Sequence, residues 1–90
     1  MPLSSIEQQT IRDMVAAASP GQRDNMRLDA EAALTKINNL MTQRLLSQEE
    51  TKVAERAIEI LVRFEAIGKG KGRWFRSKRR LQLTQMYLGG

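Results

Sequence analysis

The stretch SQEETKVAERAIEILVRFEAI, residues 47–67, has the spacing of apolar and charged side chains that is typical of an amphipathic helix. Ser47 followed by Glu50 forms a capping-box pattern, which predicts a helix over residues 48–67. One half of its projection is apolar: Val53, Ala57, Ile60, Leu61, Phe64 and Ile67, with Ala54 and Ile58 at its edge. The other half carries alternating charges and predicts a solvated face: Lys52, Glu55, Arg56, Glu59 and Arg63.

The chain on either side of this stretch predicts an antiparallel helical hairpin. Gly68 is a typical residue to end a helix, and the composition changes abruptly there. A preceding helix is expected from about Asp24 to Leu46, joined by a very short connection. Its apolar positions gather on one side: Met26, Ala30, Ala33, Leu34, Ile37, Leu40 and Met41.

A first helix is predicted to begin at Ser4, where Glu7 completes another capping box. The sequence Ser19-Pro20-Gly21 ends it, because proline cannot continue the backbone hydrogen-bond ladder. Ser19 is equally suited to cap the next helix, with Pro20 at its first position and Gln22 at its third. The first helix's apolar side is expected to cover the hairpin, unless a second copy in a homodimer does so: Ile11, Met14, Val15 and Ala18.

The composition predicts a small all-α bundle of three to four helices and excludes several chemistries. The 90 residues include no cysteine and no histidine, which removes disulfides, thiolate or imidazole metal ligands and the usual neutral-pH base. We find no nucleophile–base pair and no cofactor fingerprint, so we expect neither an enzyme nor a bound metal or cofactor. The start of the chain lacks a signal-peptide pattern, and we expect a cytoplasmic protein.

Positive charge is concentrated at the end of the chain. Residues 1–67 hold eight basic and ten acidic side chains, whereas residues 68–90 hold seven basic and none acidic. We therefore divide the chain into a helical hairpin core with its N-terminal helix, 1–67, and a glycine-rich basic loop with a cationic helix, 68–90. This segregation of charge is the strongest functional signal in the sequence.

The basic segment predicts a fourth helix from Arg73 to Leu88. Arg73, Arg76 and Arg80 share one face, which is expected to point outward while an apolar stripe docks on the hairpin. That stripe has heptad spacing: Trp74, Leu81 and Leu88. For Trp74 and Phe75 we favour core packing over base stacking, since the chain has few other large core residues.

These features predict a small nucleic-acid-binding regulator that contacts the phosphates of DNA or RNA. The alternative is an adaptor or inhibitor that docks its cationic helix on an acidic or nucleic-acid-binding groove of a larger machine. Binding to an anionic membrane is a third and weaker interpretation, because glutamines and a threonine dilute the apolar side of that helix. The residues expected to bind the partner are Lys69, Lys71, Arg73, Trp74, Phe75, Arg76, Lys78, Arg79 and Arg80.

Overall fold

The computed structural model describes residues 3–70 and 72–89, and within them it confirms the all-α bundle, with four helices. These are α1 (Ser5–Ala17), α2 (Pro20–Met41), α3 (Gln48–Lys69) and α4 (Arg73–Leu88), and the described residues form no strand. Helix α3 packs against each of the other three, and α2 also contacts α4. The α2–α3 hairpin is therefore present, with α1 and α4 as additional neighbours of its second helix.

Capping boxes start the first three helices at the serines that the sequence indicates. Ser4, Ser19 and Ser47 each accept a hydrogen bond from the backbone N–H three residues later. The side chain of that later residue accepts one from the serine's own N–H in return. Each box satisfies two of the N–H groups that a helix start leaves unpaired.

Helix α2 differs from its predicted bounds at both ends. It begins at Pro20, the alternative start, rather than near Asp24, and it ends at Met41 rather than near Leu46. The hydroxyl of Thr42 donates to the carbonyl of Asn39 at 2.7 Å, and the backbone tightens into short-range turns. Arg44 then donates to both carboxylate oxygens of Glu50, at 2.7 and 2.6 Å. The connection is consequently a six-residue loop that is tied to the start of α3.

The predicted end of α3, with Ile67 as the last helical residue and Gly68 as the terminating glycine, is wrong by two residues. The helix continues through Gly68 to Lys69, and Gly70 takes the left-handed conformation at φ +61°. Side chains disfavour that conformation, so the termination falls on Gly70. A glycine within a helix costs only about 1 kcal/mol, which the packing of α3 offsets.

The main core shows that α3 is rotated relative to the amphipathic prediction. Val53 and Ile67 are exposed although they belong to the predicted apolar half, and Glu59 is buried although it belongs to the solvated half. A helix with three neighbours buries more than one side, so its projection alone does not identify every buried position. The fully formed core joins α2, α3 and α4 through Ala30, Leu34, Ile37, Ala54, Ala57, Ile58, Leu61, Val62 and Leu83.

A smaller cluster attaches α1 to the same hairpin. Leu3, Ile11 and Val15 are buried together, with Met26 and Ile60 packed against them. Met14, predicted on this face, is exposed. At the corner after α1, Arg23 donates to the last carbonyls of that helix, at 2.9 Å to Val15 and 3.1 Å to Ala16.

Candidate nucleic-acid interface

Helix α4 docks mainly through Leu83, which does not belong to the predicted heptad stripe, and Leu88 is the one member of that stripe that packs against the core. Leu83 is 2% exposed within the main core, and Tyr87 and Leu88 pack against its edge. The amide of Asn38 donates to the carbonyl of Tyr87 at 2.8 Å, which ties the end of α4 to α2. These contacts place the opposite side of α4 in solvent.

Trp74 and Leu81 occupy that solvent-facing side. Trp74 is 78% exposed and Leu81 is 60% exposed, so the prediction that they anchor the helix is wrong. Phe75 is half-buried, and Lys69 lies over its ring with Nζ 5.8 Å from the centroid. Nζ of Lys78 lies 5.2 Å from the centroid of the Trp74 ring. The one tryptophan of the chain is therefore a solvated aromatic surface flanked by a cation.

Two of the predicted contact residues are paired with acids of α3 instead of pointing outward. Nε of Arg79 donates to both carboxylate oxygens of Glu65, at 3.0 and 3.1 Å. Arg80 donates to both oxygens of Glu59, at 2.8 and 3.0 Å. Helix α4 is therefore turned so that part of its positive charge neutralises the acids of its neighbour, which explains why the tryptophan faces away.

Glu59 is the buried centre of this contact. Its side chain is 1% exposed and accepts a third hydrogen bond, from Nε of Arg63 at 2.8 Å. Burial raises the pKa of this carboxyl, but the hydrogen bonds from Arg80 and Arg63 outweigh that effect and leave the pKa below its ordinary value. Glu59 is thus ionised at neutral pH, with two guanidinium groups fixed on it.

The remaining described cations of the segment lie at the end of α3 and around the first turns of α4, with Arg76 on the side of Leu83 and Lys78 on the side of Trp74. We call them together the basic surface: Lys69, Arg73, Arg76 and Lys78. The first turn of α4 contains no acid, and its N-cap, Gly72, provides no side-chain hydrogen bond. Cations are unfavourable at the start of a helix, where the macrodipole is already positive. The potential of the basic surface therefore attracts anions. Lys71, also a predicted contact residue, lies outside the described residues.

Arg76 is half-buried, whereas Lys69, Arg73 and Lys78 are exposed. Its side chain forms no hydrogen bond or ion pair with the described residues. Burial lowers the pKa of its guanidinium, and repulsion by Arg63, Arg80 and Arg12 lowers it further, with only partial compensation by Glu59. Arg12 and Arg63 come from α1 and α3 and were not among the predicted site residues. Their local sequence carries no signal for this role, because only helix packing brings them near α4.

A shallow cavity of about 220 Å³ lies beside the exposed tryptophan. Its lining combines two aromatic rings with cationic and amide groups: Trp74, Phe75, Lys78, Arg79 and Gln82. Rings and positive charge at this spacing suit the stacking of a planar base next to its phosphate.

Residues 3–70 and 72–89 contain no group of three or more acidic side chains placed to hold a metal ion. None of the helices in that part of the chain is sufficiently long and apolar to cross a bilayer. No family model matches the chain, and neither a curated protein nor a solved structure matches it.

Proposed function

We propose that this protein binds unpaired nucleic acid, with the basic surface on the phosphates and Trp74 stacked on a base. The observation that carries the proposal is the solvent exposure of Trp74, with Lys78 over its ring and the other cations of the basic surface around the start of α4. A large aromatic side chain gains free energy from burial, so its exposure next to cations is typical of a binding surface.

The charge of the surface supports a polyanionic partner. Lys69, Arg73, Arg76 and Lys78 have no ion pair to an acid among the described residues, in contrast to Arg79 and Arg80. Each phosphate that such a cation neutralises releases a counterion, which provides affinity without a requirement for base sequence.

The aromatic group favours single strands over duplex. Every base has a face that can stack on an indole ring, whereas a base within a duplex is already stacked on its neighbours. Stacking contributes about 1–3 kcal/mol per base, which makes Trp74 the largest single contact of the proposed complex.

Fluorescence anisotropy with labelled single-stranded DNA, RNA and duplex DNA across a salt series tests the proposal. With four phosphate contacts, log affinity for a single strand should fall against log salt with a slope of about −3. We expect tighter binding to single strands than to duplex, and quenching of the Trp74 emission on binding. The proposed function would be contradicted if none of the three nucleic acids binds measurably at low salt.

Matched variants separate this surface from non-specific charge. Lys69→Gln/Lys78→Gln and Lys36→Gln/Lys52→Gln lower the net charge equally, but the second pair lies on α2 and at the start of α3. We expect the first pair to weaken binding and to reduce the salt slope by about 1.4, and the second to have little effect. Trp74→Ala should weaken binding by about 1–3 kcal/mol with unchanged circular dichroism. Equal losses in the two lysine pairs would show that the binding is not localised.

The second candidate function is docking on an acidic protein groove. Leu81 lies two turns after Trp74 on the same side of α4, so an exposed apolar strip accompanies the cations. Trp and Arg are frequent anchor residues of protein interfaces. A protein partner that remains bound after nuclease treatment and is lost in Leu81→Ala would favour this candidate over nucleic acid.

A further inference from the structure

Arginines of α3 and α4 come together where these two helices pack, and Arg12 of α1 adds its charge to this region. Arg63 and Arg80 both donate to the buried carboxylate of Glu59, which fixes their positions relative to each other. Arg76 lies one helical turn before Arg80 and acts electrostatically on Arg63, Arg80 and Arg12. We call this set of four side chains, Arg12, Arg63, Arg76 and Arg80, the arginine cluster.

The arginine cluster holds more positive charge than the protein compensates. Glu59 supplies one negative charge to Arg63 and Arg80 together. Arg12 has a weak contact of 3.7 Å to the exposed Asp13. Arg76 has neither a carboxylate nor a hydrogen-bond acceptor for its side chain among the described residues. Four cations thus lie near two anions, of which one is at the surface.

Such an arrangement destabilises the free protein. A half-buried guanidinium loses hydration and is repelled by the cations around it, and Arg76 has no partner that repays these losses. Arginine is also the side chain that best matches an oxyanion, because its planar fork donates two parallel hydrogen bonds. An anion at the cluster would therefore remove the repulsion and satisfy the free donors of Arg76.

We propose that the arginine cluster is a phosphate-binding site in which Arg76 is the principal ligand, with Arg63 and Arg80 held in place by Glu59 and with Arg12 adding positive charge from α1. The inference rests on the proposed function in that the phosphate belongs to a nucleic-acid strand. The phosphate is either an internal diester or a terminal monoester. Both present the same oxyanion chemistry, and they differ in charge and in position on the strand.

Thermal unfolding in phosphate and in chloride at matched ionic strength tests the site without nucleic acid. We expect inorganic phosphate to raise the midpoint of the natural protein by about 5 °C and to leave Arg76→Gln unaffected. In chloride, Arg76→Gln should be at least as stable as the natural protein, because the substitution removes repulsion. A purely structural arginine would give the opposite result, a lower midpoint in both salts, and that result would overturn the proposal. Lys36→Gln is the control, and it should keep the response to phosphate.

Two oligonucleotides that differ only in a 5′-phosphate identify the source of the anion. If the anion is an internal diester, Arg76→Gln should lower the affinity for both oligonucleotides about tenfold and reduce the salt slope by about 0.7. For a terminal monoester, the phosphorylated strand should bind more tightly, and Arg76→Gln should abolish that difference. If Arg76→Gln binds both strands as tightly as the natural protein does, the site is refuted.

The experiments distinguish an error in the proposed phosphate site from an error in the proposed nucleic-acid function. If Lys69→Gln/Lys78→Gln weakens strand binding and Arg76→Gln does not, the phosphate contacts of the two lysines stand, and Arg76 and the arginine cluster are removed from the site. If no strand binds, while phosphate stabilises the natural protein and not Arg76→Gln, the cluster binds oxyanions and the nucleic-acid function is refuted.

Discussion

Glu59 is a buried carboxylate that is paired with two arginines, Arg63 and Arg80. Its carboxylate loses almost all contact with water, and burial of a charge costs several kcal/mol unless partners replace the solvent. Arg63 and Arg80 supply three hydrogen bonds of 2.8–3.0 Å to it. The two bonds from Arg80 fix α4 on α3, so Glu59 contributes more to the position of a helix than to net stability.

Replacement of Glu59 by Gln should destabilise the protein by about 3 kcal/mol, because two partly buried guanidinium groups would lose their counter-charge. The measurement is the free energy of unfolding from urea denaturation. Glu31→Gln is the matched control, since Glu31 pairs with Arg27 at 2.8 Å on the surface of α2. Its expected cost is only about 0.5 kcal/mol. Equal costs in the two variants would show that the burial of Glu59 has no energetic consequence.

At the scale of the helices, the three capping boxes are alike in geometry but differ in their response to acid. Glu7 of α1 and Glu50 of α3 are carboxylates, whereas Gln22 of α2 does not titrate. Hydrogen bonding from the Ser4 backbone lowers the pKa of Glu7 to about 2, with a further contribution from Lys52. Hydrogen bonds from Arg44 and from the Ser47 backbone lower the pKa of Glu50 to about 2.

We expect the protein to lose stability as the pH falls from about 5 to about 2. Because these two folded pKa values lie below the ordinary value of 4.5, the stabilisation is complete above 4.5 and disappears as each folded carboxylate is protonated. Glu59, whose pKa is also lowered, acts in the same direction. The measurement is the thermal midpoint as a function of pH.

Glu50→Gln isolates one part of this acid response. Glutamine keeps the side-chain acceptor of the box, as Gln22 does in α2, but it has no charge to lose. The thermal midpoint of the variant should be lower than that of the natural protein at pH 7. It should also fall less steeply between pH 7 and pH 2. A midpoint that is constant between pH 5 and pH 2 in the natural protein would contradict the assigned role of these carboxylates.

At the scale of the whole molecule, the position of α4 connects stability with the candidate interface. Leu83 is its buried contact with the core, and the pairs of Arg79 and Arg80 orient it. The side that remains exposed carries Trp74 and Leu81. Helix α4 therefore buries the side on which its arginines can pair with acids of α3. Its other apolar residues stay exposed and are available to a binding partner.

Leu83→Ala should therefore destabilise the fold by about 3 kcal/mol, because it leaves a cavity in the core. Leu81→Ala removes an identical side chain from the exposed side and should change the stability by about 0.5 kcal/mol at most. Urea denaturation followed by circular dichroism measures both. A reversed order of the two effects would mean that α4 docks by the heptad stripe after all.

The features that could be predicted from the sequence are those with a local physical cause. The capping boxes at Ser4, Ser19 and Ser47 form between residues three apart, so each helix start is encoded within one turn. The helix ends were less accurate, since termination at Met41 and Lys69 depends on turn contacts and on which glycine adopts positive φ.

The candidate site was predictable only as a run of charge. The net charge of +7 in residues 68–90 is a property of the sequence, and it identified the segment that now forms the basic surface. The direction of each side chain was not encoded locally. Trp74 and Arg80 exchanged their expected positions because Glu59 and Glu65 lie on the helix that α4 meets.

Helix class, the capping boxes and the segregation of charge follow from the sequence, because each depends on neighbours within a turn or on composition alone. The rotation of α3 and α4, the burial of Glu59 and the grouping of Arg63, Arg76 and Arg80 arise only when the helices pack. The physical reason is that an amphipathic pattern specifies which sides of a helix can be buried. Competition among apolar contact, charge pairing and desolvation across the bundle then selects the side that is buried.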